Sequence, residues 1–262
     1  MKPTYDAISL EGQKTFAPSF DTFGFFARSV EDLQLLADVF ALEDDEPARD
    51  VPLKDVYVAL IKTPMWLQAG AGAVAAMGKA AIIPQKCGVQ VEDVSFPGSP
   101  EGNTGNKANL AAEICDLVEN TANYSHKEKW KLVIRTLICG LNNLAAKYSV
   151  IPTPSAVDEG PLGFDNMGRA TFDTLWTAKF HMPAINIPAF RGANGMPIGI
   201  SLVAPQFRDQ HLLRISKIIG EVLMDDNGGR HASSDSLLLL STSLDAQDIV
   251  SWAGDLMAEL LS

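Results

Sequence analysis

The sequence lacks most of the features that would announce a function directly. It has no run of lysine and arginine, and 21 basic residues face 32 acidic ones, for a net charge of -11. Nucleic-acid surfaces need a basic track to displace counterions from phosphates, so that class is excluded. The longest apolar run is Leu237-Leu238-Leu239-Leu240, far short of the roughly 18 residues a membrane span requires. The first 25 residues contain Lys2, Asp6, Glu11 and Lys14 and no apolar stretch, so no secretory signal is read there. Cysteine is scarce. Cys87, Cys115 and Cys139 lie far apart, in odd number, and in neither CxxC nor CxxxH spacing. That usage fits a reducing, cytoplasmic setting with buried thiols and no metal site. His126, His181, His211 and His231 form neither HxxxH nor HExxH, and SxxK and GxSxG are absent.

What is present is a core. Of 262 residues, 47% are apolar, enough for one large domain or two small ones. Ser29, followed by Asp32, is the start signal of a helix. Val30, Leu33, Leu36, Val39 and Phe40 recur at helical spacing and predict one buried face. The acidic stretch 43–54, with Pro47 and Pro52, reads as an exposed loop, and Asp44-Asp45 as solvated. Val56 to Ile61 does not alternate and predicts a strand covered on both faces. An Ala-rich helix follows over 71–87, then a strand from Val89 to Phe96. Strand, helix and strand in that order point to an α/β sheet.

Helical patterns continue over 107–122 and 126–148, and again from Ala170 to Phe180. Val150 to Pro154 is short and extended. Ala184–Pro188 and Ile198–Val203 read as buried strands around a turn at Arg191-Gly192-Ala193-Asn194-Gly195. A last helix runs from Asp209 to about Met224. We therefore divide the chain into residues 1–224 and a tail, 225–262. The tail holds seven acidic residues against one basic, Arg230, with a Gly228-Gly229 linker and an amphipathic helix over Ala246–Leu261.

Gly70-Ala71-Gly72-Ala73-Val74-Ala75 matches GxGxxA, follows a strand and opens a helix, with Glu92 and Asp93 about twenty residues on. A dinucleotide fingerprint needs its first glycine in the turn directly off the strand, so that the helix N-terminus meets the pyrophosphate. Here Thr63 to Ala69 intervene. A close-packed Ala/Gly helix is the simpler reading, and dinucleotide binding stays as a rival.

Three groups of residues carry a resemblance. Lys2-Pro3-Thr4 with Ile8-Ser9-Leu10-Glu11-Gly12 is one. Ser19-Phe20-Asp21 through Gly24, Ala27-Arg28-Ser29-Val30 and Asp32 is another. The third joins Val150-Ile151-Pro152-Thr153-Pro154 to Met182-Pro183-Ala184-Ile185-Asn186-Ile187-Pro188 and Gly195-Met196-Pro197-Ile198-Gly199-Ile200-Ser201-Leu202-Val203. Together, over about residues 2–224, they resemble the amidase signature family, and most closely its fungal-type members. The resemblance implies an α/β fold with a mixed β-sheet flanked by α-helices. It implies hydrolysis of amide C–N bonds by a serine–serine–lysine triad, with no metal or organic cofactor.

In that family the triad and the oxyanion hole precede the Lys-Pro-Thr segment, so the resemblance places this chain in the C-terminal half. No catalytic residue transfers to it. Ser9, Ser19, Lys2 and Lys14 are present, but none stands at a triad position. The resemblance offers Phe164, Trp176 and Phe180 as substrate-pocket residues, with core packing as their alternative. The expectation is a truncated, inactive chain that meets an amide substrate only when an N-terminal half is supplied and that associates with itself through an open sheet edge. A non-catalytic binding or regulatory role is the alternative.

Overall fold

The computed structural model describes residues 1–15, 18, 20–47, 49–97, 138–163, 165–169 and 171–226, with only the backbone of Asp225 and Asp226. They fall within one unit, Met1–Asn227. Phe164, Cys115, Ser19 and the tail beyond Asp226 lie outside the described residues, as do the helices expected over 107–122 and in the first part of 126–148. Residues 138–145 are helical.

The strand–helix–strand unit forms as the pattern requires. β1 (Tyr57–Lys62) and β2 (Gln90–Ser95) pair in parallel, joined by α2 (Ala71–Lys86). Ahead of them stands α1 (Val30–Val39), capped by Ser29 Oγ, which accepts the Asp32 N–H at 3.1 Å. Leu33 and Ala37 bury its inner stripe, but Val39 is 77% exposed. It lies two residues past Ala37, about 200° around the helix, and so faces water.

β3 (Ile151–Pro154), β4 (Ala184–Arg191) and β5 (Pro197–Val203) form an antiparallel set with β5 in the middle. A parallel bridge between Val58 and Val150 joins the two groups. The Ala59 N–H donates to the Val150 carbonyl at 3.1 Å, and Ser149 N–H to the Tyr57 carbonyl at 2.7 Å. The spatial order is therefore β2-β1-β3-β5-β4, a mixed sheet. Beyond β4 the first residues add to the edge. Lys2 and Ala184 exchange both backbone hydrogen bonds, and Met1 does the same with Phe25.

Strand residues alternate between faces. Ile185, Ile187, Ile200 and Leu202 meet α2 and α4 (Asp209–Asp226), whose Leu212, Ile215, Ile219 and Leu223 are buried. On the other face Ile151, Val203 and Ala184 pack under α3 (Thr171–Thr174), which continues as a π-helical turn, Leu175–Lys179.

Two expectations are corrected. Cys87 and Cys139 are exposed thiols; Cys87 terminates α2, where a side chain points off the helix end. Asp44 is not solvated. Its side chain is 4% exposed and accepts from Gln210 N–H at 2.7 Å, His211 N–H at 2.8 Å and Arg214 at 3.3 Å. It serves the unsatisfied donors at the start of α4.

Thr4 ties the start of the chain to the last described helix. Its N–H and its hydroxyl both donate to the buried Asp209 carboxylate, at 2.8 and 2.7 Å, and its Oγ1 accepts from Phe207 N–H at 2.9 Å. Thr4→Val keeps the shape and removes both hydroxyl bonds. We expect it to lower the unfolding free energy by about 2–3 kcal/mol. Thr4→Ser retains the hydroxyl and should stay within about 1 kcal/mol of the parent. Urea titration separates the two, and equal losses would show that shape rather than hydrogen bonding matters here.

Candidate functional site

A polar row crosses an otherwise apolar sheet. Thr153 on β3 and Asn186 on β4 are both register partners of Ser201 on β5, so the three side chains share one face. Ser155 stands two residues beyond Thr153 on the same side, and its N–H donates to the Gly199 carbonyl. Gly199 leaves the necessary room: a Cβ there would overlap the Asn186 amide and the Ser155 hydroxyl.

α3 lays Asp173 over this row. Burial pushes the Asp173 carboxyl up to about 7, and a hydrogen bond from Ser201 works against that rise. The Ser155 and Ser201 hydroxyl oxygens are 3.0 Å apart, and the Asn186 amide donates to Ser155 Oγ. Either hydroxyl of the Ser155–Ser201 pair can donate to the other, and Asn186 donates to Ser155. The row is thus a string of polar side chains that runs from beneath a buried acid to the exposed Asn186.

The site is also under-satisfied. Among the described residues, the enclosed Thr153 Oγ1, Asp173 Oδ1 and Trp176 Nε1 have no hydrogen-bond partner. Buried polar atoms are nearly always paired. The π-helical turn that carries Trp176 is a second departure from regular geometry, of a kind that gathers at functional sites.

Two lysines border this region. Lys2 Nζ donates to the carbonyls of Met182 at 2.8 Å and Thr177 at 3.4 Å. Burial lowers its pKa to about 7, with Asp209 opposing. Lys179 is 3% exposed, its Nζ lies 4.5 Å from the Phe20 ring centroid, and burial lowers its pKa.

Of the residues named from sequence, Trp176 and Phe180 are 0% and 1% exposed. They meet edge-to-face at 6.1 Å, with Phe96 on the other side of the tryptophan at 6.4 Å. The hydroxyl row was missed because Ser201 and Gly199 sit inside a run that reads as plain buried strand. A signal was available: Thr153, Asn186 and Ser201 interrupt stretches, 151–154, 184–190 and 197–203, that are otherwise apolar. Among the described residues, no group of three or more His, Cys, Asp or Glu could hold a metal ion, and no helix is long and apolar enough to cross a membrane. At the GxGxxA helix start, the Asp158 carboxylate lies where a Cβ on Gly70 or Gly72 would fall.

Asp173 gives the site a pH signature. Its folded pKa lies above the unfolded value, so above about pH 7 the fold carries a charge-burial cost that acid relieves. Asp173→Asn removes that dependence. Between about pH 5 and about pH 8, the parent should lose about 2 kcal/mol of stability relative to Asp173→Asn. Denaturant titrations at the two pH values check this, and parallel pH profiles would show that the carboxyl is already ionised in the fold at the lower pH.

Residues 1–155 match the Amidase family. A glutamyl-tRNA(Gln) amidotransferase subunit of Thermus thermophilus is 25% identical over 277 residues, covering 82% of this chain and 58% of that protein. The mitochondrial glutamyl-tRNA(Gln) amidotransferase subunit of Rattus norvegicus is 32% identical over 118 residues, 41% of this chain and 22% of that protein. The chain thus spans little more than half the length of the Thermus relative it matches. Among solved structures, an amidase aligns at TM-score 0.63 with 19% identity, covering 86% of this chain and 57% of the other. Fatty acid amide hydrolase aligns at TM-score 0.63 with 15% identity, covering 85% and 52%. These likenesses show the mixed α/β fold, and with the family match over more than half of its residues, the chain belongs to the amidase family.

Proposed function

We propose that this chain forms the C-terminal part of a fungal-type amidase signature fold and takes part in amide C–N hydrolysis as scaffold and pocket wall rather than as the source of the nucleophile. The observation that carries the proposal is the under-satisfied polar row. Thr153 Oγ1, Asp173 Oδ1 and Trp176 Nε1, three of the six buried side-chain polar atoms without partners among the described residues, belong to this row, to α3 above it and to the π-helical turn that follows. Buried unpaired groups of this kind mark a catalytic role or a missing partner rather than a finished core. On this reading a further segment bearing the family's serine–serine–lysine triad completes the region, and Trp176, Phe180 and Phe164 belong to the wall it closes.

The described residues offer no substitute triad. Lys2 spends its hydrogen bonds on carbonyls and Lys179 lies over a ring. Neither stands as a base beside a described serine, and a serine without a base in reach is a weak nucleophile. Exposed Phe26, Leu67 and Leu162 support association with such a segment or with a second copy. A non-catalytic binding role keeps the same surfaces and dispenses with the chemistry. The dinucleotide alternative has Asp158 standing against it at the helix start.

The test is turnover. The 262-residue polypeptide alone should not hydrolyse aryl or aliphatic amides above buffer, since losing a whole nucleophile system removes about six orders of magnitude in rate. Adding a separately expressed segment that carries the family's Gly/Ser-rich signature should restore hydrolysis sensitive to serine-directed inhibitors. Inhibitor-sensitive turnover by the chain alone would overturn the proposal. Failure of the added segment to bind would favour the binding role.

A further inference from the structure

Tyr57, Tyr148 and Glu92 come together from β1, from the segment that enters β3 and from β2. Tyr57 opens β1 and its register partner on β2 is Gln90, so Glu92 stands two residues further along on the same face. Ser149, beside Tyr148, donates its N–H to the Tyr57 carbonyl at 2.7 Å, and its hydroxyl accepts the Tyr57 N–H at 3.0 Å. With the backbones tied in this way, the two phenol rings meet at a centroid distance of 4.7 Å, tilted by 53°.

Both phenols share one acceptor. The Tyr57 and Tyr148 hydroxyls each donate to the same carboxylate oxygen, Glu92 Oε2, the Tyr148 bond at 3.2 Å. The two hydroxyl ends therefore lie within about 6 Å of each other, the reach of two hydrogen bonds. Both tyrosines are half-buried and Glu92 is exposed. The hydrogen bond to Glu92 pushes the Tyr57 hydroxyl up to about 12, so near neutral pH the phenol holds its proton, on a bond aimed at a carboxylate. Tyr5 is placed differently: it stacks on His181, and its hydroxyl donates to the Pro18 carbonyl. Two phenols in ring contact on one proton acceptor are set up for a reaction that a lone surface tyrosine cannot undergo within its own chain.

We propose that Tyr57 and Tyr148 are a site of oxidative modification, joined within one chain as dityrosine by a one-electron oxidant such as a haem peroxidase working with hydrogen peroxide, with Glu92 receiving the phenolic proton. Each phenol gives one electron to the oxidant and its hydroxyl proton to the carboxylate, which passes it to water. Each becomes a phenoxyl radical whose unpaired electron is shared with the ring carbons beside the oxygen. The two radicals couple at those carbons to form a C–C bond, and the hydrogens on the joined carbons move to the oxygens and restore both rings. Two hydrogen atoms leave in all, and one hydrogen peroxide takes them up to become two waters. Holding both rings in contact makes the coupling unimolecular, where free tyrosines must first find each other. The bond would tie the start of β1 to the entry of β3, across the Val58–Val150 bridge that joins the two groups of strands. The site is independent of the amide chemistry proposed above.

The test treats the full 262-residue chain with a haem peroxidase and limiting hydrogen peroxide, and follows dityrosine fluorescence and peptide mass. The monomer should lose two hydrogen atoms, and the crosslinked peptide should join Tyr57 to Tyr148. Its yield should not change as the chain is diluted, since both partners belong to one molecule. Tyr57→Phe and Tyr148→Phe keep the packed rings and remove one phenol, and each should lower the intrachain product by about tenfold or more. Tyr5→Phe should leave it unchanged. Glu92→Gln keeps the shape and an acceptor oxygen but takes up no proton, and should slow the crosslink several-fold. Crosslinks that map to Tyr5 or Tyr124, that join only separate chains, or that form at the parent rate in Glu92→Gln would overturn the proposal, as would no dityrosine at all. No readout involves amide turnover, so an inactive chain and an unreactive tyrosine pair give distinguishable results.

Discussion

The buried carboxylate of Asp209 and its two bonds to Thr4 hold the rest of the structure in register. Thr4 brings in neighbours on either side, each with its own task. Lys2 extends the sheet through its backbone, and its ammonium meets the carbonyls of Thr177, in the π-helical turn, and of Met182, beyond it. Tyr5 stacks on His181 with ring centroids 4.2 Å apart, and its N–H donates to the His181 carbonyl at 3.1 Å. Phe207 and His181 are both non-glycine residues with left-handed backbone, at φ 59 and 58. Such conformations cost of order 1–3 kcal/mol and persist only where the surroundings impose them. Here the surroundings are Thr4 for one and Tyr5 for the other. One short segment therefore fixes the entry to α4 and the exit from the π-helical turn. Lys2 and Asp209 are each shifted toward neutrality, because burial outweighs their mutual attraction. Such a pair fixes position more than it adds stability.

That arrangement explains how much of the fold was legible from sequence. Val56–Ile61 and Ile198–Val203 follow from their short, mainly apolar runs and the helix from Asp209 from its hydrophobic period, because each element is buried by its own pattern. The start of α1 follows from the chemistry of Ser29. What could not be read is every feature that depends on a distant partner. Asp44 reads as a loop acid until α4 arrives with three donors. Val39 fits the helical period and yet faces water, since period fixes angle and not what lies across from it. The polar row needs two strand registers and a helix to exist. Thr153, Ser201 and Asn186 are 48 and 15 residues apart along the chain, and only the pairing of β3 and β4 on β5 makes them neighbours.

The sheet makes a division of labour from this. Because successive strand residues alternate, one face can be wholly apolar while the other is graded. Along the second face the row Ile151, Val203 and Ala184 is apolar, and the next row is polar. The gradient falls within one strand step, about 7 Å. Trp176 sits on the apolar side of that boundary, with a ring nitrogen that has no partner among the described residues. A π-helical turn in this position inserts one extra residue per turn and re-aims the side chains that follow. Asp173 precedes that turn and Lys179 closes it, so the acid and the amine are presented at different angles from one short helix.

The acidity of the chain, finally, is partly turned inward. A net charge of -11 would cost self-repulsion if all of it faced water together. Three of the carboxylates instead do the work of caps and anchors. Asp44 serves the first N–H groups of α4, Asp209 receives Thr4 at the same helix end, and Asp158 lies over the Gly70–Gly72 start of α2. Helix N-termini carry partial positive charge and unsatisfied donors, so an internal carboxylate there is stabilising. The same placement bears on ligands. The glycines that resemble a phosphate-binding loop are small because a carboxylate of the chain approaches them, not because a pyrophosphate must.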